Sequence, residues 1–501
     1  MKKIQVYLLT AISVVSLWFS SLVSAAPWVD VSDIYLRADI QALADEGVIT
    51  VPINTYPLMW AGIGADLSKV EPSTLSPALT EAFARVNFYY QNALTNRGNT
   101  GIKLAGATDA ARFQHFGSDY RERGELKASH EYMGDRFAFK ISGSGNFDAE
   151  DDQSFRLDDS YVAMALGNWM VTLGSVEQWW GPGFDTGLIK SNNARPAPSL
   201  MISRNNAAAF ETPWLSWIGP WTFTAGVTWL NDDDRAVENP LLWNFRGTIR
   251  PIQQIEIGLS WTTMFCGDGQ ECGFTTLLDA FAGKSICPDG STNCDPALKS
   301  AVGNQMAGFD IRYGDTWFDI PVGIYLERTC EDSKGPMPWE LADCGYLVGT
   351  DTRLDFDSQQ YKLFFEYSNT TVACGLDPNS FNCFYEHGTY QSGSRYYGRS
   401  YGSTYDSDAK VYALGVVGQF ANSRGFTSIL RYAQLNNDGV NRGGLWSPQP
   451  PKEDLLMLEL SYRMPIWKGM MSVGGTVSQS EFETADNDTD GTLFGTYEYR
   501  F

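Results

Sequence analysis

The sequence predicts an all-β transmembrane barrel of about eighteen antiparallel strands, preceded by a small N-terminal α-helical domain. Three observations carry that prediction. From about residue 100 onward the chain alternates apolar with polar or small residues, in segments of roughly ten. The connections between these segments run alternately long and short. The chain ends on Leu493, Gly495, Tyr497, Tyr499 and Phe501 in strict alternation. A soluble β-sandwich or a secreted β-solenoid would share the first feature only.

Residues 1–25 read as a secretory signal peptide: Lys2 and Lys3, a mostly apolar run from Ile4 to Val23, and the small-residue site Val23-Ser24-Ala25. Loss of both lysines takes the formal charge from −22 to −24. No later apolar run reaches the roughly 18 residues that a membrane helix needs. Residues 26–98 form the expected helical domain. In Asp33 to Glu46, Leu36, Ile40 and Leu43 share one face and Gly47 is a stop signal. Ser76-Pro77 is an N-cap followed by a first-turn proline, and Leu79, Phe83, Val86 and Tyr90 mark the helix behind it. The Pro-containing segment Val51 to Leu58 lies between.

Residues 99–501 form the barrel. Trp221, Phe223, Ala225, Val227 and Trp229 oppose Thr222, Thr224, Gly226 and Thr228. Ile255, Ile257, Leu259 and Trp261 oppose Glu256, Gly258, Ser260 and Thr262. Tyr361 to Ser368 and Leu456 to Arg463 repeat the pattern. Walking back from Phe501, placed at the periplasmic rim, the short turns fall at Met464 to Lys468, Ala421 to Gly425, Phe356 to Ser358, Gly314 to Thr316, Arg250 to Ile252 and Ile218 to Pro220. The long connections fall at Glu481 to Asp490, Asn436 to Lys452, Thr370 to Asp408, Thr329 to Gly345, Cys266 to Gln305 and Asn231 to Pro240. Further strands are expected to start near 207, 168, 155, 136, 120 and 102. Both barrel ends then lie in the periplasm, beside the helical domain.

All eight cysteines fall in or beside external connections in this walk. Neighbour pairing gives Cys266 with Cys272, Cys287 with Cys294, Cys330 with Cys344, and Cys374 with Cys383. Such bridges suit an exported protein, where long loops without their own core gain from closure. The spacings do not suit zinc. The acidic balance excludes a general nucleic-acid binder. The three histidines, His115, His130 and His387, are scattered, and no Walker loop or HExxH motif occurs, so no catalytic set is expected. The acidic runs Asp148 to Asp152 and Asp232 to Asp234 are read as solvated external loops. Calcium bridging to an anionic polymer fits them only unspecifically.

One segment stands apart. WWGPGFDTGLIKSNNARPAPSLMISRNN, residues 179–206, opens a long external connection in the parity walk. Lys190, Arg195 and Arg204 face only Asp185, a local balance of +2 in an acidic chain. Two indoles, amides such as Asn192 and isolated cations suit an acidic sugar polymer: an indole stacks on a pyranose face, and arginine grips a carboxylate through two parallel hydrogen bonds. Gly181, Pro182 and Gly183 would set the turn that aims them. The structural alternative is that Trp179 and Trp180 fill the outer aromatic girdle or plug the barrel. Adjacent strand residues point to opposite faces, so at most one would meet lipid.

WWGPGFDTGLIKSNNARPAP resembles the signature segment of the Wzi-type capsule-assembly proteins of the bacterial outer membrane. The signal peptide, the helical domain and the barrel ending in aromatic-Arg-Phe resemble that family in outline. The resemblance implies an eighteen-stranded barrel with a periplasmic helical bundle. It implies a lectin-like, non-enzymatic role: binding exported capsular or related polysaccharide and helping to organise it at the surface of a Gram-negative cell. The polysaccharide and outer-membrane lipid are then the partners, with contact to export machinery through the helices; a monomer without cofactor is expected. The cysteine-bearing external loops depart from the family pattern. The alternative function is a diffusion porin.

Overall fold

The computed structural model describes residues 27–94, 98–233, 235–270, 272–273, 275, 304–318, 320–333, 341–356, 359–373, 383–387, 389–439 and 451–501. Eighteen antiparallel strands of the described residues close into one barrel. In chain order they are β1 (Asn99–Ala107), β2 (Gly124–Met133), β3 (Phe137–Phe147), β4 (Phe155–Arg156 continued by Tyr161–Leu166), β5 (Trp169–Gly174) and β6 (Ser199–Arg204). Then come β7 (Trp221–Trp229), β8 (Leu241–Ile252), β9 (Ile255–Phe265), β10 (Gln305–Trp317), β11 (Ile320–Ser333) and β12 (Leu341–Phe356). The last six are β13 (Gln359–Asn369), β14 (Ala409–Gln419), β15 (Gly425–Leu435), β16 (Glu453–Ile466), β17 (Gly469–Phe482) and β18 (Asp488–Arg500). Closure is made by β18 against β1, with Tyr497 opposite Leu104.

The alternation has its expected meaning. In β8, Asn244, Arg246, Thr248 and Arg250 are buried and face inward, whereas Leu241, Trp243 and Phe245 face out. Leu259, Val477 and Leu493, each more than half exposed, lie on outward positions of β9, β17 and β18. A wall apolar outside and polar inside is what lipid on one side and a hydrated or protein-filled lumen on the other demand.

The external connection placed at Thr329 to Gly345 is shorter than expected, since these two residues pair and the strands run on to Ser333 and Leu341. Two periplasmic connections also differ from the sequence expectation. The strand before β7 does not start near 207 but spans Ser199–Arg204, and 205–220 is the periplasmic connection. The six-residue alternation of Ser199, Met201 and Ser203 against Leu200, Ile202 and Arg204 is hidden between Pro- and Asn-rich flanks. The turn placed at Gly314 to Thr316 lies three residues later, after Trp317. Gly314 is there for close approach: a Cβ would meet Arg312 and Asp45 at 2.7 Å.

The cysteine pairs Cys266–Cys272 and Cys330–Cys344 are disulfides, and Cys383 is also disulfide-bonded. Cys287, Cys294 and Cys374 lie outside the described residues. Cys330 and Cys344 sit opposite each other at the external end of the β11–β12 hairpin.

The N-terminal helices are α1 (Ile34–Asp45), α2 (Trp60–Leu67) and α3 (Pro77–Leu94). Asp33 caps α1 by accepting from the Tyr35 and Leu36 amides at 2.9 and 3.1 Å. Gly47 follows the helix with φ +74°. The sequence suggested one buried face on α1, but every residue from Ile34 to Ala44 is buried. Its apolar face meets α3, and its polar face enters the polar lumen: Gln41 donates to Asp351 of β12 at 3.1 Å, and Arg312 of β10 donates to Asp45. Residues 49–56 climb further inside. Arg250 reaches the Ile49 carbonyl at 3.0 Å, and Glu256 accepts from the Ile53 and Asn54 amides, both at 2.8 Å. The helical region therefore occupies the periplasmic mouth of the barrel.

Candidate functional site

Residues 175–198 leave the external end of β5, but they do not stand in solvent. They turn down into the lumen. Trp179–Trp180 pairs antiparallel with Thr55–Tyr56, so a segment from the external side and one from the N-terminal region form a two-stranded ribbon inside the barrel. Both indoles are fully buried. Trp179 meets Phe116 edge-on at 5.4 Å. Trp180 packs with Ile189, Met306 and Phe384. The expected external position of these indoles is thus corrected: neither offers a face to a sugar, and their rings fill the lumen. Burying an indole removes about 200 Å² from water, worth about 5 kcal/mol by area. That gain favours the interior over display.

The three residues behind the indoles make the close packing feasible. Gly181 has φ +124°, and a Cβ there would meet the Glu327 carboxylate at 2.7 Å. A Cβ on Gly183 would meet the Thr186 carbonyl oxygen at 2.3 Å. The freed carbonyls of Pro182 and Gly183 accept from the two terminal nitrogens of Arg37 on α1, each at 2.8 Å. The Arg37 guanidinium lies 4.2 Å from the Phe184 ring centroid and 4.4 Å from that of Phe116. Burial lowers its pKa, opposed by Tyr56 and Glu366 nearby. One side chain of the N-terminal helix thus clasps the turn at the base of the external plug.

The other expected contact residues scatter from this point. Asp185 is buried and accepts from Arg431 of β15 at 2.8 Å and from the Tyr405 hydroxyl. Arg431 also donates to Glu459 at 2.6 Å, and Glu459 faces His115 at 3.4 Å. His115 is buried: burial lowers its pKa, but the Glu459 carboxylate more than compensates and the net shift is upward. This chain ties three external segments, 108–123, 175–198 and 383–408, to the wall. Asn192 donates to the His115 carbonyl at 2.9 Å and belongs to the same tie. Lys190 is buried with its ammonium 3.9 Å from the Tyr401 ring centroid, and burial brings its pKa down to about 7.

The local excess of positive charge does not form a cationic face. Arg195 is held by Asp151 and by Asp158, the latter at 2.9 and 3.0 Å. Arg204 lies at the far, periplasmic end of β6, opposite Trp169, and its guanidinium covers Trp221 at 3.6 Å. Sequence proximity had grouped cations that the strand carries to opposite rims. The acidic runs are similarly engaged: Asp148 pairs with Arg123, Glu150 with Arg399, Asp151 with Arg156 and Arg195, and Asp232 with Arg235. Asp234 lies outside the described residues. Among the described residues no group of three or more His, Cys, Asp or Glu side chains is arranged to hold a metal ion.

Above the plug, Arg395–Tyr396 and Arg399–Ser400 pair as a short hairpin. Its two tip residues, Tyr397 and Gly398, have φ +47° and +76°, the conformation of a type I′ turn. A bulky aromatic at such a position is uncommon. The Tyr397 amide donates to Asp232 at 3.1 Å, and Arg195 lies 4.8 Å from the ring centroid. The hairpin sets a partly buried tyrosine and the partly buried Arg399 on the external face, with the largely buried Arg195 beneath.

Residues 93–493 match the family described as capsule assembly protein Wzi. The chain belongs to the Wzi capsule assembly family. A Klebsiella pneumoniae relative, a 55.8 kDa protein of the cps region without assigned function, is 29% identical over 312 residues. That match covers 62% of this chain and 59% of the relative. Among solved structures, the Escherichia coli outer membrane protein Wzi, involved in group 1 capsule assembly and described as a carbohydrate-binding β-barrel, superposes with a TM-score of 0.79. It is 22% identical, over 96% of this chain and 100% of that one.

Within this Wzi family member, sequence reasoning missed Arg37, His115, Arg431 and Tyr397. Arg37 sat on the polar side of what looked like a surface helix. His115 was one of three scattered histidines. Arg431 was an ordinary inward strand residue. The signal available for Tyr397 was the Tyr-Gly pair within RYYGRS, a dipeptide that can be read as a tight turn.

Proposed function

We propose that this protein is an outer-membrane, lectin-like barrel that binds exported capsular or related polysaccharide on its external face and helps retain it at the cell surface. The observation that carries this reading is the filled lumen. The ribbon of Trp179–Trp180 with Thr55–Tyr56, clasped by Arg37, closes the barrel where a porin needs an open constriction. A lumen occupied by chain from both ends favours binding on a fixed outer surface over conduction. Membership in a capsule assembly family supports the polysaccharide as partner and a binding role over a catalytic one.

In this reading the expected site residues divide. Trp179, Trp180, Asp185 and Asn192 hold the plug in place, Lys190 is buried within it, and Gly181, Pro182 and Gly183 form its turn. Arg195 contacts the polymer together with Tyr397. The Tyr397 ring supplies a stacking face, and the arginine beneath it supplies charge-assisted donors. Arg204 takes no part. The helices at the periplasmic mouth are the surface available to export machinery. Deletion of the gene is expected to release surface polymer into the medium, and the purified protein is expected to give no steady conductance in planar bilayers. A steady large open channel with unchanged polymer retention would restore the porin reading.

A further inference from the structure

The periplasmic rim carries one connection that neither closing the barrel nor binding a glycan requires. Most periplasmic turns are two or three residues long, such as 167–168, 253–254 and 467–468, and 420–424 has five. Residues 205–220 number sixteen. A strand pair of this kind needs only a tight turn, so the additional length calls for another role.

The exposed residues of this segment are Ala208, Ala209, Glu211, Thr212, Pro213, Ser216 and two indoles. Trp214 is 73% exposed and Trp217 is 66% exposed. The Trp217 indole N–H donates to the Trp214 carbonyl at 3.0 Å, so its hydrogen-bonding need is met within the segment. Ala207 at its start is buried against the helical region beside Gly62, and the residues on either side of it are fixed to the outward side of the wall. Phe210 stacks on Trp221 at 4.8 Å and 18°, and Trp221 is an outward residue of β7. Arg204 continues the outward row of Leu200 and Ile202, and its guanidinium both covers Trp221 and donates to the Ala208 carbonyl at 3.0 Å. At the other end, Gly219 abuts the Arg250 carbonyl of β8, next to Ile252, which is 53% exposed.

We infer that residues 205–220 form an interfacial anchor that lays Trp214 and Trp217 into the phospholipid of the periplasmic leaflet. The occupant follows from continuity: the segment begins and ends on strands whose outward faces already meet lipid, and its stacked base is part of that face. Indoles settle at the headgroup level, where the ring is partly dehydrated and the N–H stays polar. Arg204, at the same rim, places its charge where phosphate groups lie. The inference rests on the membrane-spanning barrel and is independent of polysaccharide binding.

The test uses the full-length protein with Ser216→Cys labelled by an environment-sensitive fluorophore, reconstituted in phosphatidylethanolamine/phosphatidylglycerol vesicles. Asp148→Cys, in an external loop, serves as the water-exposed control. The anchor predicts a blue-shifted Ser216 label that loses about half its intensity to a phospholipid quencher carried near the headgroup, consistent with burial of about 5–10 Å. It also predicts that Trp214→Ser with Trp217→Ser abolishes both effects while the barrel keeps its resistance to unfolding in detergent. A Ser216 label with the emission and quenching of the Asp148 control would overturn the inference and leave this surface to a protein partner. So would a blue shift that survives the double substitution.

Discussion

Replacing Arg37 by alanine tests the clasp between the helical region and the plug. The side chain donates two hydrogen bonds of 2.8 Å to the Pro182 and Gly183 carbonyls and lies against the rings of Phe116 and Phe184. Its removal leaves two buried acceptors unpaired, at about 1–3 kcal/mol each, and the lost ring contacts add to this. Relief of a buried charge offsets part of the loss, and a net weakening of about 4 kcal/mol remains. That corresponds to about a thousand-fold in the equilibrium between a seated and a lifted plug. Amide hydrogen exchange reads this equilibrium directly. The Phe184, Asp185 and Leu188 amides are bonded to Glu366 and Glu327 of the wall and exchange only when the plug lifts. Their protection is expected to fall about a thousand-fold in Arg37→Ala, while strand amides in β8 and β9 keep theirs. Arg37→Lys, which can satisfy one carbonyl, should fall between. Protection unchanged within about tenfold would refute the clasp and place the plug's stability in the wall contacts alone.

Other expectations follow from the same geometry. Lys190 titrates at about 7 in the folded chain against an ordinary 10.5, because it is buried. Below pH 7 the folded state bears the full cost of its charge. Between about 7 and 10.5 unfolding takes up a proton, so stability rises with pH across that window. Lys190→Met is expected to raise the melting temperature at pH 7 and flatten its rise toward pH 10, as followed by thermal denaturation in detergent. Gly183→Ala drives a methyl group to 2.3 Å from a backbone oxygen and is expected to cut the yield of folded, heat-modifiable barrel on gels; Pro182→Ala, which keeps the carbonyl that Arg37 uses, is expected to be mild.

The barrel was legible because lipid and lumen impose opposite chemistry on alternate residues, and this leaves a period-two trace in nearly every strand. The trace failed at β6, where six residues were too few to stand out from Asn- and Pro-rich neighbours. The plug was not legible for a different reason. A segment that leaves the external rim and returns into the lumen has the composition of a loop, because the polar wall and its own carbonyls need amides, glycines and charges. The fate of Arg195 and Arg204 shows the limit: nine residues apart, they occupy opposite rims because β6 runs between them. The partners of Asp185, of the Pro182 and Gly183 carbonyls and of Arg195 come respectively from β15, α1 and the 148–159 segment. No local spacing encodes those contacts.

The measurement closest to the central claim is equilibrium binding of the source bacterium's purified surface polysaccharide to the detergent-solubilised protein, run with and without calcium. Saturable binding is expected, weakened at least about tenfold by Tyr397→Ala and by Arg195→Ala. It is expected to be unchanged by Trp467→Ala, an 87% exposed residue of a periplasmic turn. No saturable binding, or equal binding by all three variants, would contradict an external polysaccharide site at this hairpin.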